Sequence, residues 1–427
     1  MQRPGTRPLP LLILFGVLIA PPAAFAQESV RRVSLSEALE AFAANSLALQ
    51  IARSEAAGLV GEARQSRAYF NPAFSFGRDD LSHDGETAWE ETFQVLQQVE
   101  WPGRTTARGR AAAHTIRAGT ARLRADSIEF AFEVREAYVL AWFAEEAESI
   151  VRRTASVIQS VARDAEVRLE AGDISDYEAR RLRLARVDAE QVLEAAALRT
   201  RAARRSLAVL IDPGTGTEEI GPSEGPDGVP PVISREAAVA ALAGRPDVEA
   251  AASELDAARA GVDVARTHWV PAPSLGLGYR HHYDGLGGPT VAVDLPLPLF
   301  DRGSGTREEA VARSTAAAYR LELRRKMAEY DVVAAFDRYA SNRARLETAA
   351  PGLRADGEAL LASATAAYSE HETTLLDLLD AVGAFQGARL GALSLTAEAW
   401  IAFYDLLRAT GSAPEDDSER PPLPSSC

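Results

Sequence analysis

The chain has 427 residues, with 46 Lys and Arg against 61 Asp and Glu, which gives a formal net charge of -15 at pH 7. This acidic balance argues against nucleic acid as a partner, because a polyanion is repelled by it. The single cysteine, Cys427, excludes an intrachain disulfide. After residue 26 we find no run of about 18 apolar residues, so no membrane-spanning helix is expected and any membrane crossing is made by strands.

Residues 1–26 have the pattern of a secretory signal peptide. Arg3 and Arg7 precede an apolar run at 9–20, and Ala-Phe-Ala at 24–26 has the form of a cleavage site. The mature chain is therefore expected to begin just after this site, outside the inner membrane of a bacterium. No cysteine follows the site, so no lipid anchor is expected there.

Two segments have the pattern of a β-hairpin, and the second repeats the first about 199 positions later. Within residues 72–99 and 272–297, apolar residues alternate with small or polar ones. Asp84-Gly85 and Asp284-Gly285 stand at the turns, and Asp-Gly is a favoured two-residue hairpin turn. Each strand has roughly ten residues, which is about what a tilted strand needs to cross a bilayer.

Long helices are predicted between and after the hairpins. We expect a capped helix from Ser34 to about Tyr69, a long helix from Gly103 to Gly172 and a third helix from Ser175 to about Leu210. An apolar repeat of seven residues in the long helix predicts side-by-side packing with its neighbours. The two shorter helices together match the long one, so they are expected to stack end to end beside it as a rod of roughly 100 Å.

The same plan occurs twice, which indicates a duplication. The predicted divisions are a signal peptide at 1–26, a first repeat at 27–211 with a tip turn near 172, a linker at 212–233, a second repeat at 234–410 with a tip turn near 371, and a disordered tail at 411–427. In the second long helix, Pro351 predicts a kink.

Four strands cannot sit in lipid as an open sheet, because the backbone groups at the edges stay unpaired. Two copies would give eight strands with a filled interior, and three would give twelve strands with a lumen. The strand count alone requires more than one chain. Small residues at alternate strand positions, including Ser75, Gly77, Ser274 and Gly276, suit an open lumen.

The order and spacing of these elements resemble the TolC-type outer-membrane efflux channels. The motifs that carry the resemblance are the strand exits Trp-Pro-Gly-Arg and Phe-Asp-Arg-Gly, the first tip Arg168-Leu169-x-x-Gly172-x-x-Ser175, and the second-tip residues Tyr368, Thr374, Asp377 and Asp380. The resemblance covers Ser34 to Thr410. It implies a mainly helical fold in which duplicated long-helix hairpins form a trimeric α-barrel tunnel, continued by a transmembrane 12-stranded β-barrel with four strands from each chain.

The function implied by the resemblance is that of the outer-membrane channel of a tripartite efflux system. Such a channel is a passive duct across the periplasm for substrates delivered by an inner-membrane pump through a periplasmic adaptor protein. The implied partners are two further copies of the chain, the adaptor, the pump and outer-membrane lipid. No cofactor, metal site or catalytic residue is expected, and the sequence lacks P-loop, HExxH and GxSxG motifs.

By resemblance, Asp377 and Asp380 are expected to line the channel constriction, whereas the alternative is that the helix dipole favours acids in a first turn. The expected adaptor-docking residues are Arg168, Leu169, Gly172, Ser175, Tyr368 and Thr374. His371 and Thr373 depart from the family pattern, which puts the closing clamp in doubt. Glu178 and Arg181 are candidate gate residues, with an Arg181 to Asp380 pair as a substitute clamp; solvated helix charges are the alternative.

Two further sets of residues lie in or beside the predicted strands. His281 and His282 are adjacent in a predicted strand and point to opposite faces, so with His83 they are expected to belong to a loop rather than to one metal site. Aromatic residues at the strand ends predict an interfacial girdle made of Trp89, Trp101, Tyr279 and Tyr283. The main alternative function is a periplasmic coiled-coil scaffold or adaptor, and a periplasmic enzyme is third.

Overall fold

A computed structural model describes residues 30–215, 218–370 and 372–412. The expected signal peptide, His371 and the tail beyond residue 412 lie outside the described residues. In chain order the elements are β1 (Arg31–Val33), α1 (Leu35–Asn45), α2 (Leu47–Arg67), β2 (Ala73–His83), β3 (Glu86–Gln98), α3 (Pro102–Ala171), α4 (Asp176–Ile211), β4 (Ile220–Pro222), α5 (Arg235–Ala240), α6 (Pro246–Arg266), β5 (Ser274–His282), β6 (Gly287–Asp294), α7 (Ser304–Ser369) and α8 (Leu375–Thr410). The prediction of a mainly helical chain is confirmed.

Two long helices organise the helical layer. α3 has 70 residues and α7 has 66 residues, so each is about 100 Å long at 1.5 Å per residue. α2 and α4 both pack against α3, and α6 and α8 both pack against α3 and α7. Across the layer, α2 and α4 therefore share the first place, α3 holds the second, α6 and α8 share the third, and α7 holds the fourth.

The four long strands form one antiparallel sheet in the order β2-β3-β5-β6. Each strand is joined in sequence to the helix that holds the same place in the helical layer, because β2 follows α2, β3 precedes α3, β5 follows α6 and β6 precedes α7. The first hairpin turns at Asp84 and Gly85, which have φ angles of 47° and 88°. Positive φ at both positions is what a two-residue hairpin turn of type I′ requires.

The two faces of this sheet differ in composition because side chains alternate along each strand. One face, called here the apolar face, carries rows of large residues in register across the four strands, including Phe74, Val95, Leu277 and Val291, then Phe76, Phe93, Tyr279 and Pro289. The opposite face, called here the small-residue face, carries rows such as Ser75, Gln94, Gly278 and Thr290. Most of the large side chains on the apolar face are exposed within one chain.

The prediction of one continuous helix from Ser34 to Tyr69 is wrong, because the helix is interrupted at Ser46. Ser46 has an extended backbone, with φ of -61° and ψ of 123°, so α1 ends there and α2 begins. The Ser46 hydroxyl accepts a hydrogen bond from the Leu49 N–H at 3.4 Å, which caps α2. A serine that caps a new helix thus gives the chain a bend that its apolar periodicity does not reveal.

The linker is more ordered than its Pro- and Gly-rich sequence suggests. β4 pairs in parallel with β1, so the start of the chain and the linker form a small second sheet. Beyond β4, the segment 223–233, called here the strap, crosses from α3 to α7. At α3, the Tyr138 hydroxyl donates to the carbonyl oxygen of Glu224 at 2.9 Å, and at α7 the Tyr339 hydroxyl donates to that of Pro231. Each long helix therefore holds one end of the strap through a buried tyrosine.

α8 is the most apolar of the long helices, and it bears on the expectation that no helix spans a membrane. Among the described residues it alone is long and apolar enough to cross a membrane by length and composition, whereas the sequence predicted no such helix. However, 56% of its apolar window is buried inside the chain, against α7 and α3. α8 is thus accounted for as a core helix. Its neighbour α7 continues through Pro351 as one helix.

Candidate channel and docking sites

The first tip turn joins α3 to α4 and is shaped by Gly172 and Ser175. Gly172 has a φ of 81°, which a glycine adopts without strain, and the Asp173 N–H donates to the Arg168 carbonyl at 2.8 Å. Ser175 then caps α4, because its hydroxyl accepts from the Glu178 N–H and the Glu178 carboxylate accepts from the Ser175 N–H at 3.0 Å. The Ser175 hydroxyl also donates to the Glu178 carboxylate at 2.9 Å, and the hydrogen bonds from the Ser175 backbone and then from its hydroxyl lower the pKa of Glu178.

The second tip turn is built in the same way around Thr374 and Asp377. The Asp377 carboxylate accepts from the Thr374 hydroxyl at 2.6 Å and from the Thr374 N–H at 3.1 Å. In return the Thr374 hydroxyl accepts from the Asp377 N–H at 3.3 Å, which completes a capping box for α8. The hydrogen bond from the hydroxyl and then that from the N–H lower the pKa of Asp377.

The two tips lie side by side. The guanidinium of Arg168 is 5.9 Å from the centre of the Tyr368 ring, a cation–π distance. Burial raises the pKa of the Tyr368 hydroxyl. Just behind the tips, Leu182 of α4 and Leu378 of α8 are buried in one apolar core cluster. Of the expected docking residues, Arg168 and Tyr368 are thus brought together, one from each repeat, on a shared apolar base.

The expected constriction residues are both exposed in one chain, but their surroundings differ. Asp377 serves as a helix cap, whereas the carboxylate of Asp380, one turn further along α8, has no hydrogen-bond or ion-pair partner in the described part of the chain. Within the part of the chain that the structure describes, no ion pair joins Arg181 to Asp380. The reason is that α4 and α8 each pack against α3 rather than extensively against each other. The carboxylate of Glu178, the other candidate gate residue, is held by Ser175.

The expectation that His281 and His282 belong to a loop is wrong, because both residues lie in β5, on opposite faces of the sheet. His281 contacts the Trp89 ring at 5.5 Å between ring centres, on the apolar face. His282 points the other way, and its Nε2 lies 3.3 Å from Glu90 Oε2. At the opposite end of the sheet, Trp101 Nε1 donates to the Pro271 carbonyl at 2.9 Å. The described residues contain no group of three or more His, Cys, Asp or Glu arranged to hold a metal ion, and the side chain of His83 lies outside them.

Sequence reasoning missed the strap and its two tyrosines. Both tyrosines lie on core faces of their helices, where they are indistinguishable from other buried aromatic residues. The duplication offers a signal, because Tyr138 and Tyr339 occupy similar places in the two repeats. Each tyrosine hydroxyl is hydrogen-bonded to the backbone of the residue before a serine, and that serine caps the first helix of its repeat. Those serines are Ser34 and Ser234.

A sheet with one apolar face, continued strand by strand into a layer of 100 Å helices, is the architecture of an outer-membrane channel subunit. Solved structures share this fold. The CmeC outer membrane channel of Campylobacter jejuni matches with a TM-score of 0.76 at 17% identity, covering 91% of this chain and 90% of that one. The outer membrane protein VceC of Vibrio cholerae matches with a TM-score of 0.74 at 19% identity, covering 89% and 96%.

Sequence comparisons give the same assignment. Residues 237–412 match the family model described as outer membrane efflux protein. The cobalt-zinc-cadmium resistance protein CzcC of Cupriavidus metallidurans is 25% identical over 389 residues, 91% of this chain and 92% of that protein. The nickel and cobalt resistance protein CnrC of the same organism is 30% identical over 300 residues, 65% of this chain and 66% of that protein. The comparisons therefore confirm the resemblance to TolC-type outer-membrane efflux channels and the outer-membrane location.

Proposed function

We propose that the chain is the channel subunit of a tripartite efflux system. In this proposal three copies close a 12-stranded transmembrane barrel and a helical tunnel below it, and the duct passively releases substrates that an inner-membrane pump delivers through a periplasmic adaptor. The observation that carries the proposal is that the sheet and the helical layer end at the same two lateral edges, β2 with α2 and β6 with α7. No catalytic role is proposed.

Ring closure follows from the groups that these edges expose. β2 and β6 each have a neighbour on one side only, and unpaired backbone groups are costly in lipid. Pairing β6 of one copy with β2 of the next removes every edge. The helical edges carry exposed apolar side chains, such as Tyr319 and Leu323 on α7 and Ile51 on α2, which that same contact would cover. A ring of three rather than two suits the small-residue face, because twelve strands leave a lumen.

For the cargo we propose divalent transition-metal cations, because the relatives CzcC and CnrC are named for resistance to such metals. At the tip end of the tunnel, three copies would supply six carboxylates from Asp377 and Asp380. A ring of carboxylates attracts cations and is a common selectivity device in cation pores. These two residues are accordingly proposed as the constriction, and the paired tips around Arg168 and Tyr368 as the adaptor-docking surface.

The test is single-channel recording in planar bilayers. Asp380→Asn is the sharper variant, because it removes a charge without touching the cap of α8. It is expected to weaken block by divalent cations and to change the conductance, and Asp377→Ala/Asp380→Ala is expected to do so more strongly. Glu372→Ala, an exposed acid in the same tip turn, is the matched control. Unchanged conductance and unchanged block in both variants would exclude the constriction.

Assembly is tested separately by cell fractionation and gel filtration. The proposed channel remains with the outer membrane until detergent is added and then elutes as a trimer. A monomer that is extracted without detergent would instead indicate a periplasmic scaffold and would end the channel proposal.

A further inference from the structure

Charged side chains gather at the end of the sheet that is farthest from the helices. On the small-residue face, Asp79 of β2, Glu90 of β3 and His282 of β5 stand opposite one another in a single row across three strands. Arg280 belongs to the neighbouring row on the same face, opposite Thr92. This face becomes the wall of the lumen if the apolar face contacts lipid, so a role for this row in the duct rests on the proposed function.

The charges in this row are not balanced. Arg280 Nε lies 3.0 Å from one carboxylate oxygen of Glu90, and His282 Nε2 lies 3.3 Å from the other, so Glu90 is held between two basic side chains. Asp79 is exposed, and its carboxylate has neither a hydrogen-bond nor an ion-pair partner among the described residues. Arg280 offsets one of the two carboxylates, which leaves one uncompensated negative charge per chain when His282 is neutral.

The opposite face at the same height provides a contrast. Asp80, the next residue along β2, lies on the apolar face with Arg78 and Glu91. Arg78 Nη2 is 3.1 Å from Asp80 and its Nη1 is 2.9 Å from Glu91, and the guanidinium also lies 5.0 Å from the centre of the Trp89 ring. Asp80 is therefore already paired and faces away from the small-residue face.

We propose that Asp79 is an ion-selectivity residue at the outer opening of the duct. Arg280 neutralises Glu90 and holds it to the wall, and Asp79 presents a free carboxylate to the water-filled lumen. Three copies place three such carboxylates around one opening, where they favour the exit of hydrated divalent cations and disfavour anions. This selectivity element lies at the far end of the duct from the proposed constriction and acts independently of it.

The test measures the electrostatic potential at the row itself, so the constriction does not affect the result. A thiol is introduced by Gly77→Cys in a Cys427→Ser background. Gly77 lies on the small-residue face one row from Asp79, and a Cβ added there meets nothing within 4 Å. Reconstituted trimers are treated at low ionic strength with cationic and anionic methanethiosulfonate reagents of similar size, and the ratio of the two rates reports the local potential.

Asp79→Asn is expected to lower the cationic rate and raise the anionic rate by about twofold or slightly more each, so that their ratio falls about four- to sixfold, and Arg280→Gln is expected to raise the ratio by a similar factor. These factors correspond to one charge at roughly 8 Å in a water-filled, weakly screened lumen. Asp80→Asn is the matched control, since it removes the same charge from the adjacent residue on the other face, and its ratio should change much less because Asp80 points away from the lumen. Elution of each variant as a trimer verifies that it has folded.

Two results would overturn the inference, and they are distinguishable. If the thiol at position 77 reacts but Asp79→Asn and Arg280→Gln leave the ratio unchanged, the selectivity role is refuted and the duct remains. If that thiol is inert, while a thiol introduced by Phe76→Cys on the apolar face reacts freely, the two faces have been assigned the wrong way round. The proposed function then fails together with the inference.

Discussion

Removal of one hydroxyl, by Tyr339→Phe, should release the α7 end of the strap. The Tyr339 side chain is only 2% exposed, and its hydroxyl accepts from the Ile233 N–H at 3.2 Å while it donates to the Pro231 carbonyl. Phenylalanine keeps the ring and its contacts with Phe336 and Phe403, so the change isolates the hydrogen bonds. The substitution leaves one strap donor and one strap acceptor without their partner.

A buried polar group left without a partner costs about 1–3 kcal/mol, and water reaches part of the strap, so we expect a loss of about 2 kcal/mol in local stability. That is a roughly 30-fold increase in the open population of the strap. Hydrogen exchange followed by mass spectrometry measures this directly as faster exchange of the Val232 and Ile233 amides, since Pro231 has no N–H. The control is Tyr330→Phe on the same helix, where the side chain is 73% exposed and little change is expected. Exchange in Tyr339→Phe as slow as in the unsubstituted chain would refute the role of the hydroxyl.

Three further changes test the core, the strap and the tip. Phe385→Ala empties a fully buried site behind the tips and should cost about 3–5 kcal/mol in unfolding free energy, whereas Leu376→Ala, at an exposed position, should cost little by the same thermal measurement. Gly225→Ala would bring a Cβ into overlap with the Trp142 indole at Nε1, so the strap must shift, and we expect a red-shifted tryptophan emission. The depressed pKa of Asp377 means that its contribution to folding is complete above the unfolded-state value near 3.8 and is lost as the pH falls through the lower folded-state pKa. Hydrogen exchange in the first turn of α8 should therefore rise only in acid below that value, and Asp377→Asn should abolish the dependence.

Much of the architecture can be predicted from local patterns in the sequence. Strands β2 and β3 are visible because apolar and small residues alternate and an Asp-Gly turn stands between them, and the long helices are visible from their seven-residue repeats. The break at Ser46 was missed because the residues on both sides of it are equally helical, and only the backbone angles of one serine separate them. The pairing of β1 with β4 was missed because each strand has three residues and they lie nearly 190 positions apart.

The candidate sites depend more strongly on which helices lie side by side, and local sequence patterns carry no information about that. An Arg181 to Asp380 pair is reasonable from their similar depth in the two repeats. It does not form within one chain because α3 is the helix against which both α4 and α8 pack. The capping role of Asp377 was missed for a similar reason, since a capping box is recognisable in Thr374-x-x-Asp377 only once the helix is known to begin at Leu375.

The shared order of strands and helices has a geometric consequence. Neighbouring strands lie about 4.8 Å apart and packed helices about 9 Å apart, so the same four segments span roughly 15 Å between the outer strand axes and roughly 27 Å between the outer helix axes. The chain must fan out between the two layers. The joint at 99–101 is tied to the joint at 267–273 through Trp101, which leaves the flanking joints at 68–72 and 295–303 to take up the sideways displacement. Those two flanking segments thus set, by their lengths, how the narrow sheet is joined to the wider helical layer.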